Sequence, residues 1–177
     1  VDANLPEESL MWLGEHKGAS EIFAAPVSPS KGRRWRSPIK DVDVFIGNER
    51  EADIISGLPV KSIDDALKAA IAICAKGPKL VVITLGPRGA VVCCDEIQAH
   101  FPIPDTKVVD VNGAGDAFFG GFTQAYARGL SVLDATKQGI ATASLMAETP
   151  GPIRDDLSLE LVLGRVDRLP PHKILIP

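Results

Sequence analysis

The segment KLVVITLG at residues 79–86 is an almost unbroken run of apolar and β-branched residues. A strand inside a parallel sheet is buried on both faces, so it loses the alternation of apolar and polar residues that a half-exposed strand shows. The run therefore predicts a central strand of a parallel sheet. Parallel neighbours need long crossover connections, which are usually helical, so helices are expected between the strands.

Helical and strand patterns do alternate along the chain before this run. The helical segments carry apolar residues at three- and four-residue spacing, and the strand segments are short and apolar. Ser62 is a typical N-terminal helix cap, whereas Gly18 and Gly77 favour helix ends. The predicted elements of this part are a helix at 7–17, strands at 21–27 and 41–48, and helices at 49–57 and 62–77.

The second half of the chain predicts two short strands and then three helices. The strands GAVVCC at 89–94 and AHFPIP at 99–104 favour an antiparallel edge of the sheet. Mostly apolar helices are expected at 116–128, 131–148 and 157–166. This order predicts an α/β sandwich that binds its ligands beyond the carboxyl ends of the parallel strands.

Composition argues against several classes of function. With 177 residues, 45% of them apolar and 24% charged, the chain has the content of one globular domain. Its net charge of −4 gives no general attraction to nucleic acid or to an anionic membrane. No apolar run approaches the ~20 residues of a membrane span. The basic run at 31–36 around Trp35 predicts either a solvated turn or a local phosphate contact.

The cysteines and histidines do not form a recognisable metal or disulfide pattern. Cys74, Cys93 and Cys94 give an odd count without C-x-x-C spacing, so the sequence favours neither a zinc site nor a disulfide framework. The three histidines are scattered singly along the chain. This cysteine usage favours a reducing, cytoplasmic location.

The segment VVDVNGAGDAFFGGF at 108–122 is the strongest candidate for chemistry. The turn Gly113-Ala114-Gly115 is expected between a strand that ends near Asp110 and a helix that begins near Asp116. Free backbone N–H groups at a helix N-terminus form a site for an anion such as a transferring phosphoryl group. Asp116 could either cap the helix or accept the proton of a substrate hydroxyl.

Two weaker motifs also follow predicted strands. Asn48 and Glu51 could hold water around Mg²⁺ or simply form a capped helix start. Thr84, Gly86 and Gly89 could line a nucleotide site or form a plain β-turn. Because all three stretches are expected after strands, one crevice at the strand ends could collect them. The sequence has no P-loop, no Rossmann glycine fingerprint and no protein-kinase His-Arg-Asp set.

Together these motifs resemble the ribokinase-like, or PfkB, carbohydrate and nucleoside kinases. The 108–122 segment resembles their long signature, NERE at 48–51 their N-x-x-E magnesium motif, and TLGPRGAVV at 84–92 their nucleotide turn. The opening VDANLPEESLMWL is similar to the start of the family's C-terminal half. Within the family, the segments at 24–34 and 147–153 most resemble pseudouridine kinases.

The resemblance implies a three-layer α/β/α sandwich and assigns a role to each candidate residue. The implied cofactors are ATP and Mg²⁺, with K⁺ in some members. Two departures, Asp110-Val111-Asn112 and the prolines at 150 and 152, fall in the loop that binds the monovalent cation. The implied roles are Asp116 as base, Gly113, Ala114 and Gly115 as anion hole, Asn48 and Glu51 for Mg²⁺ and phosphates, Thr84, Gly86 and Gly89 for ATP, and Asp110 with carbonyls near Gly151 for the monovalent cation.

The expected activity is ATP-dependent phosphorylation of a primary hydroxyl, with pseudouridine as the preferred substrate. The alternatives are a kinase of ribose, a ketohexose or a keto-deoxy sugar acid, and a non-catalytic nucleotide-binding module. Residues 1–177 are expected to be the ATP-binding and catalytic portion of a longer kinase, inactive without the N-terminal half and lid. The expected partners are a small-molecule substrate and either a second copy or that missing half, with no nucleic acid and no membrane.

Overall fold

The fold is described from a computed structural model over residues 1–26 and 29–176. Its helices are α1 Glu7–His16, α2 Pro29–Gly32, α3 Glu49–Ser56, α4 Ile63–Cys74, α5 Ala114–Ala127, α6 Val132–Ala147 and α7 Leu159–Val166. Its strands are β1 Phe23–Ala24, β2 Val44–Asn48, β3 Leu80–Thr84, β4 Ala90–Cys94, β5 Ile97–Phe101 and β6 Lys173–Ile176. Short 3-10 turns lie at Arg33–Trp35, Pro38–Asp41 and Gly86–Arg88. The α/β class predicted from the sequence is confirmed.

The six strands form one sheet in the order β1-β2-β3-β4-β5-β6. β1, β2 and β3 pair in parallel, and Asn48 stands opposite Thr84 at the ends of β2 and β3. β4 and β5 are joined by two residues only, a connection that suits an antiparallel hairpin and is far too short for a parallel crossover. The predicted mixed sheet, with β3 buried inside it, is therefore confirmed.

The chain divides into two compact units. The first comprises Val1–Gly86, Val91–His100 and the end of the chain from Ile174, and the second comprises Pro87–Ala90 and Phe101–Lys173. In the first unit, side chains of the sheet and of α1, α3 and α4 share one apolar core that includes Phe45, Ile73 and Val81. In the second unit, Ala141 and Leu145 of α6 pack with Val162 of α7.

Several boundaries differ from the sequence prediction. The strand expected at 21–27 is confined to Phe23–Ala24 with an isolated bridge between Asp2 and Ala25, and its last residue, Val27, lies outside the described residues. The strand expected at 99–104 runs instead over Ile97–Phe101, because Pro102 has no N–H to donate to a ladder. β6 was not predicted.

A strand ending near Asp110 is absent from the described structure, so that prediction was wrong. The valines at 108, 109 and 111 are exposed rather than packed between strands. The N–H groups of Val109 and Asp110 both donate to the carbonyl of Ala147, at 2.8 and 3.2 Å, instead of entering a ladder. An apolar β-branched run is therefore not sufficient for a strand where the backbone pairs with a helix end.

The end of α6 is fixed by an ion pair between Glu148 and Arg165. The two guanidinium nitrogens of Arg165 donate to the two Glu148 carboxylate oxygens at 3.0 and 2.6 Å. This double hydrogen bond keeps the pKa of Glu148 below its usual value of 4.5. The ionised carboxylate is thus more stable in the folded chain than in the unfolded one.

This pair predicts a pH dependence of stability. A carboxylate with a lowered pKa stabilises the fold above its unfolded pKa, and that stabilisation is lost as the pH falls through the folded pKa. We expect Glu148→Gln to lower the free energy of unfolding at pH 7 and to flatten its decline below pH 4.5. Urea denaturation of both proteins between neutral and acidic pH measures the effect. Parallel curves for parent and variant would contradict the assignment.

Candidate active site

The turn before α5 depends on a glycine. Gly113 is the N-cap of α5 and has φ of +78°, a conformation that L side chains rarely adopt. A β-carbon at this position would also lie 3.1 Å from the carbonyl oxygen of Pro152. α5 begins at Ala114, two residues before the predicted start, so Asp116 lies in its first turn and is not its N-cap.

The N-terminus of α5 has backbone donors without acceptors. The Ala114 N–H donates to the carbonyl of Val111 at 3.2 Å, so one of the three expected anion-hole amides is already engaged. Among the described residues, the N–H groups of Gly113, Gly115 and Asp116 have no acceptor. The helix dipole adds partial positive charge at the same place. This end of the helix can therefore receive the oxygens of an anion.

The Asp116 side chain is the third residue of α5. It is exposed, and its carboxylate makes no hydrogen bond or ion pair within the described part of the chain. An acid that is engaged in neither capping nor ion pairing can accept a proton from an incoming hydroxyl. The structure thus places the predicted base beside the free amides of its own helix.

Asp110 ties this turn to the loop after α6. Its Oδ1 accepts from the N–H of Asn112 at 2.9 Å, and its Oδ2 accepts from the N–H of Gly151 at 3.2 Å. The Asn112 hydrogen bond, with a smaller contribution from Gly151, lowers the pKa of Asp110. Asp110 and Gly151 therefore lie together through this amide N–H, and their expected role in a monovalent-cation site stays a prediction.

Arg154 shapes the same loop, and sequence reasoning missed it. Its Nη1 donates to the carbonyl of Leu145 at 2.8 Å and to the Thr149 hydroxyl at 3.3 Å, while its Nε donates to Asp156 at 2.8 Å. A cation at the carboxyl end of α6 is favourable for the helix dipole. Only its position shortly after a helix end, in a loop rich in glycine and proline, could have drawn attention to it.

Asn48 and Glu51 form a capping box at the start of α3. The Asn48 Oδ1 accepts from the N–H groups of Arg50 and Glu51 at 3.0 and 3.1 Å, and Glu51 Oε2 accepts from the Asn48 N–H at 2.8 Å. Glu51 is only 4% exposed, whereas Asn48 is exposed. This geometry is the capped helix start, one of the two alternatives that the sequence allowed for Asn48 and Glu51. The box occupies the single side-chain oxygen of Asn48 and one of the two carboxylate oxygens of Glu51.

Thr84 and Gly86 lie close to this box along the ends of the parallel strands. Thr84 stands opposite Asn48 in the sheet, and its hydroxyl donates to the carbonyl of Gly47 at 3.4 Å. Gly86 is exposed, has φ of +56°, and has open space where a β-carbon would be. The first unit therefore brings Asn48, Glu51 and Thr84 together at one end of the sheet, as the sequence predicts.

Gly89 differs from Gly86, because packing alone explains it. It is buried, has φ of +89°, and a β-carbon there would lie 1.9 Å from the carbonyl oxygen of Phe101. That close backbone approach accounts for the glycine without any ligand. Its expected role in an ATP site remains a prediction.

Within the basic run at 31–36, Arg34 and Trp35 contribute to the fold of the first unit. The guanidinium of Arg34 donates to the carbonyls of Ala3, Asn4 and Leu5 at 2.9, 3.2 and 3.2 Å. Trp35 is buried in the core of that unit. The sequence offered a solvated turn or a phosphate contact for this run. Arg34 fits neither interpretation, because its guanidinium is hydrogen-bonded to the segment before α1.

Two kinds of feature are absent from the described residues. These residues contain no group of three or more His, Cys, Asp or Glu side chains arranged to hold a metal ion. No helix among them is long and apolar enough to cross a membrane.

The chain matches the family described as pfkB family carbohydrate kinase over residues 2–158. It therefore belongs to the PfkB family of carbohydrate kinases. It is 33% identical over 109 residues to a deoxyribokinase of Salmonella typhi, covering 62% of this chain and 36% of the relative. It is 27% identical over 171 residues to the pseudouridine kinase of Escherichia coli, covering 94% and 54% of the two chains.

A solved structure shares the fold. Arabidopsis thaliana ribokinase, complexed with ribose and ATP, superposes with a TM-score of 0.79 at 23% sequence identity. The match covers 93% of this chain and 54% of that one. The predicted ribokinase-like fold is confirmed. The chain spans between about a third and just over half of the length of these proteins.

Proposed function

We propose that this chain forms the nucleotide-binding and catalytic part of a kinase that transfers a phosphoryl group from ATP to a primary hydroxyl of a sugar or nucleoside. One observation carries the proposal. The N-terminus of α5 combines amides without acceptors and the unpartnered carboxylate of Asp116, inside the region that matches a family of carbohydrate kinases. Proton acceptance and anion stabilisation are the two functions that phosphoryl transfer to an alcohol requires.

In the proposed reaction, Asp116 accepts the proton of the hydroxyl as that oxygen attacks phosphorus. The N–H groups of Gly115 and Asp116 donate to the oxygens of the phosphoryl group, where negative charge is concentrated. The N–H of Gly113 is a third available donor. These donors are fixed by the helix before the reaction begins, so little reorganisation is needed.

Asn48 and Glu51 are suited to hold Mg²⁺ through water rather than directly. Mg²⁺ keeps several of its waters and is usually bound through one or two carboxylates and substrate phosphates. One oxygen of Glu51 is committed to the capping box. The amide of Asn48 is exposed at the end of the sheet. When bound, the metal would neutralise charge on the phosphates, and Thr84 and Gly86 would line the nucleotide beside it.

We expect Glu51→Gln to raise the Mg²⁺ concentration needed for half-maximal rate. Glutamine keeps the side-chain oxygen that accepts from the Asn48 N–H, but it loses the negative charge that orders metal-bound water. The readout is the initial rate of ADP formation across a Mg²⁺ titration. Asp65→Asn is a matched control, because Asp65 forms the same capping box with Ser62 at the start of α4. Equal Mg²⁺ titrations for Glu51→Gln and the parent would remove Glu51 from the site.

Pseudouridine is the substrate we propose first. The support is the match to a pseudouridine kinase over 94% of this chain, together with the residues around Pro26 and Gly151 that resemble those enzymes. Pseudouridine carries a ring N–H that uridine lacks. A site built to hydrogen-bond such a group discriminates strongly against an analogue without it.

A second candidate substrate is a free pentose. The 33% identity to a deoxyribokinase favours it, although that match covers a shorter part of this chain. Both candidates offer a primary hydroxyl to Asp116, so the proposed mechanism is common to them.

The experiment is an ADP-release assay of the longer kinase expected above, in which this chain is joined to the N-terminal half and lid, with pseudouridine, uridine, ribose and 2-deoxyribose as substrates. We expect kcat/KM for pseudouridine to exceed that for uridine by at least ~10-fold. Faster phosphorylation of a pentose would move the assignment to the second candidate. ATP binding without ADP release on any of the four would favour the non-catalytic nucleotide-binding module.

The three free thiols, Cys74, Cys93 and Cys94, support a reducing, cytoplasmic setting for the reaction.

A further inference from the structure

Two cysteines that the proposed reaction does not use lie together in the core of the first unit. Cys74 is the last residue of α4, and Cys93 lies in β4. The Cys74 Sγ is 3.6 Å from the backbone carbonyl oxygen of Cys93. Both side chains belong to the same apolar cluster, in which Cys93 is 4% exposed and Cys74 is partly exposed.

The third cysteine has a different environment. Cys94 follows Cys93 in β4, and successive side chains of a strand point to opposite faces of the sheet. Cys93 belongs to the core cluster of the first unit and Cys94 does not. Cys94 therefore serves as an internal control for any chemistry specific to the other pair.

We propose that Cys74 and Cys93 are a reversible oxidation site, at which peroxide converts the two thiols into an intramolecular disulfide. The Cys74 thiol already reaches Cys93 at its backbone carbonyl oxygen, 3.6 Å away, and both side chains share one apolar cluster. A disulfide here would close a loop over residues 74–93, which contains β3 together with Thr84 and Gly86. The site is independent of the substrate and of the phosphoryl transfer proposed above.

The interaction between the two cysteines affects their thiols in opposite ways. It lowers the pKa of Cys93 and, together with burial, raises the pKa of Cys74. In the proposed reaction Cys93 is oxidised first and Cys74 resolves the product, and the Cys74→Ser variant below tests this order. Cys93 is buried, and hydrogen peroxide is smaller than most other oxidants, so it is the oxidant best suited to reach this side chain.

The reaction proceeds in two balanced steps. In the first, the Cys93 sulfur attacks one peroxide oxygen, so an S–O bond forms, the O–O bond breaks and hydroxide leaves, giving a sulfenic acid. In the second, the Cys74 sulfur attacks Cys93 sulfur, so the S–S bond forms, the S–O bond breaks and the leaving hydroxide takes the Cys74 proton as water. Overall, two thiols lose two electrons and two protons, and one peroxide becomes two waters.

The test is treatment of the purified protein with hydrogen peroxide, followed by alkylation, intact mass and peptide mapping. We expect a loss of two hydrogen masses, a crosslinked peptide pair that contains Cys74 and Cys93, and one alkylated thiol instead of three. Dithiothreitol should restore all three. Mapping of the parent protein decides the question even if a variant folds poorly.

Two cysteine-to-serine variants test which thiols form the crosslink. Cys94→Ser should form the crosslink at the parent rate, whereas Cys74→Ser should lose it and accumulate further oxidised Cys93. A disulfide that involves Cys94, a crosslink between two chains, or sulfinic acid on Cys93 of the parent without any crosslink would each overturn the proposal.

Discussion

Asp116→Asn should bind nucleotide as the parent does and lose turnover by ~10²–10⁴-fold, the usual contribution of a positioned general base. Asparagine keeps the shape of the side chain and its place in the first turn of α5, but it cannot accept the hydroxyl proton. The Asp116 carboxylate has no partner in the described structure, so its replacement breaks no contact there. The change should therefore appear in kcat and leave the free energy of unfolding almost unchanged.

Asp134→Asn is the matched control for this substitution. Asp134 is the third residue of α6, as Asp116 is the third residue of α5, and it also lies in a first helical turn. Asp134 is paired with Lys137 and accepts from Ser131, so its loss should cost some stability but no turnover. If both variants retained turnover within threefold of the parent, Asp116 would not be the base.

Gly89→Ala should produce the largest loss of stability of any glycine-to-alanine substitution in the chain. The new β-carbon would meet the Phe101 carbonyl oxygen at 1.9 Å, and backbone cannot move aside as the end of a flexible side chain can. The positive φ of +89° adds strain. We expect the free energy of unfolding to fall by roughly 2–5 kcal/mol, the sum of left-handed strain and overpacking.

Gly129→Ala separates these two contributions. Gly129 has φ of +83°, almost the same as Gly89, and nothing lies within 4 Å of the position of its β-carbon. Its loss should therefore be strain alone, roughly 1–2 kcal/mol. Urea denaturation of both variants measures the difference. Equal losses would mean that the contact between Gly89 and Phe101 is not as tight as described.

The parts of the fold that local chemistry determines were predictable. Ser62 caps α4 through a hydrogen bond to the Asp65 N–H, as expected of a serine followed three residues later by an acid. The apolar run of β3 is buried inside the sheet, as its lack of alternation indicated. Near Asp110 the same reasoning failed, because a β-branched run looks alike whether its amides pair with a strand or with the Ala147 carbonyl.

The candidate site was predictable where glycine or a cap sets the backbone. Gly113 lies in the turn expected before α5 and has a positive φ, and Asn48 and Glu51 lie at the end of β2 and in the first turn of α3. The contacts of Arg154 and Arg34 with the backbone carbonyls of Leu145 and Ala3 could not be predicted. The sequence does not reveal which carbonyls the fold leaves without a donor. For Gly89 the sequence left a nucleotide site and a plain turn open; packing against Phe101 is enough to require the glycine, and the nucleotide role stays a prediction.

The central claim is that the N-terminus of α5 receives the transferring phosphoryl group. The most direct measurement is an amide NMR titration of the isotope-labelled protein with Mg²⁺, ADP and aluminium fluoride, a mimic of that group. The account predicts large shifts for the N–H groups of Gly115 and Asp116 and none for Gly129 beyond the other end of α5. Shifts elsewhere in the chain, with the Gly115 and Asp116 amides unmoved, would contradict it.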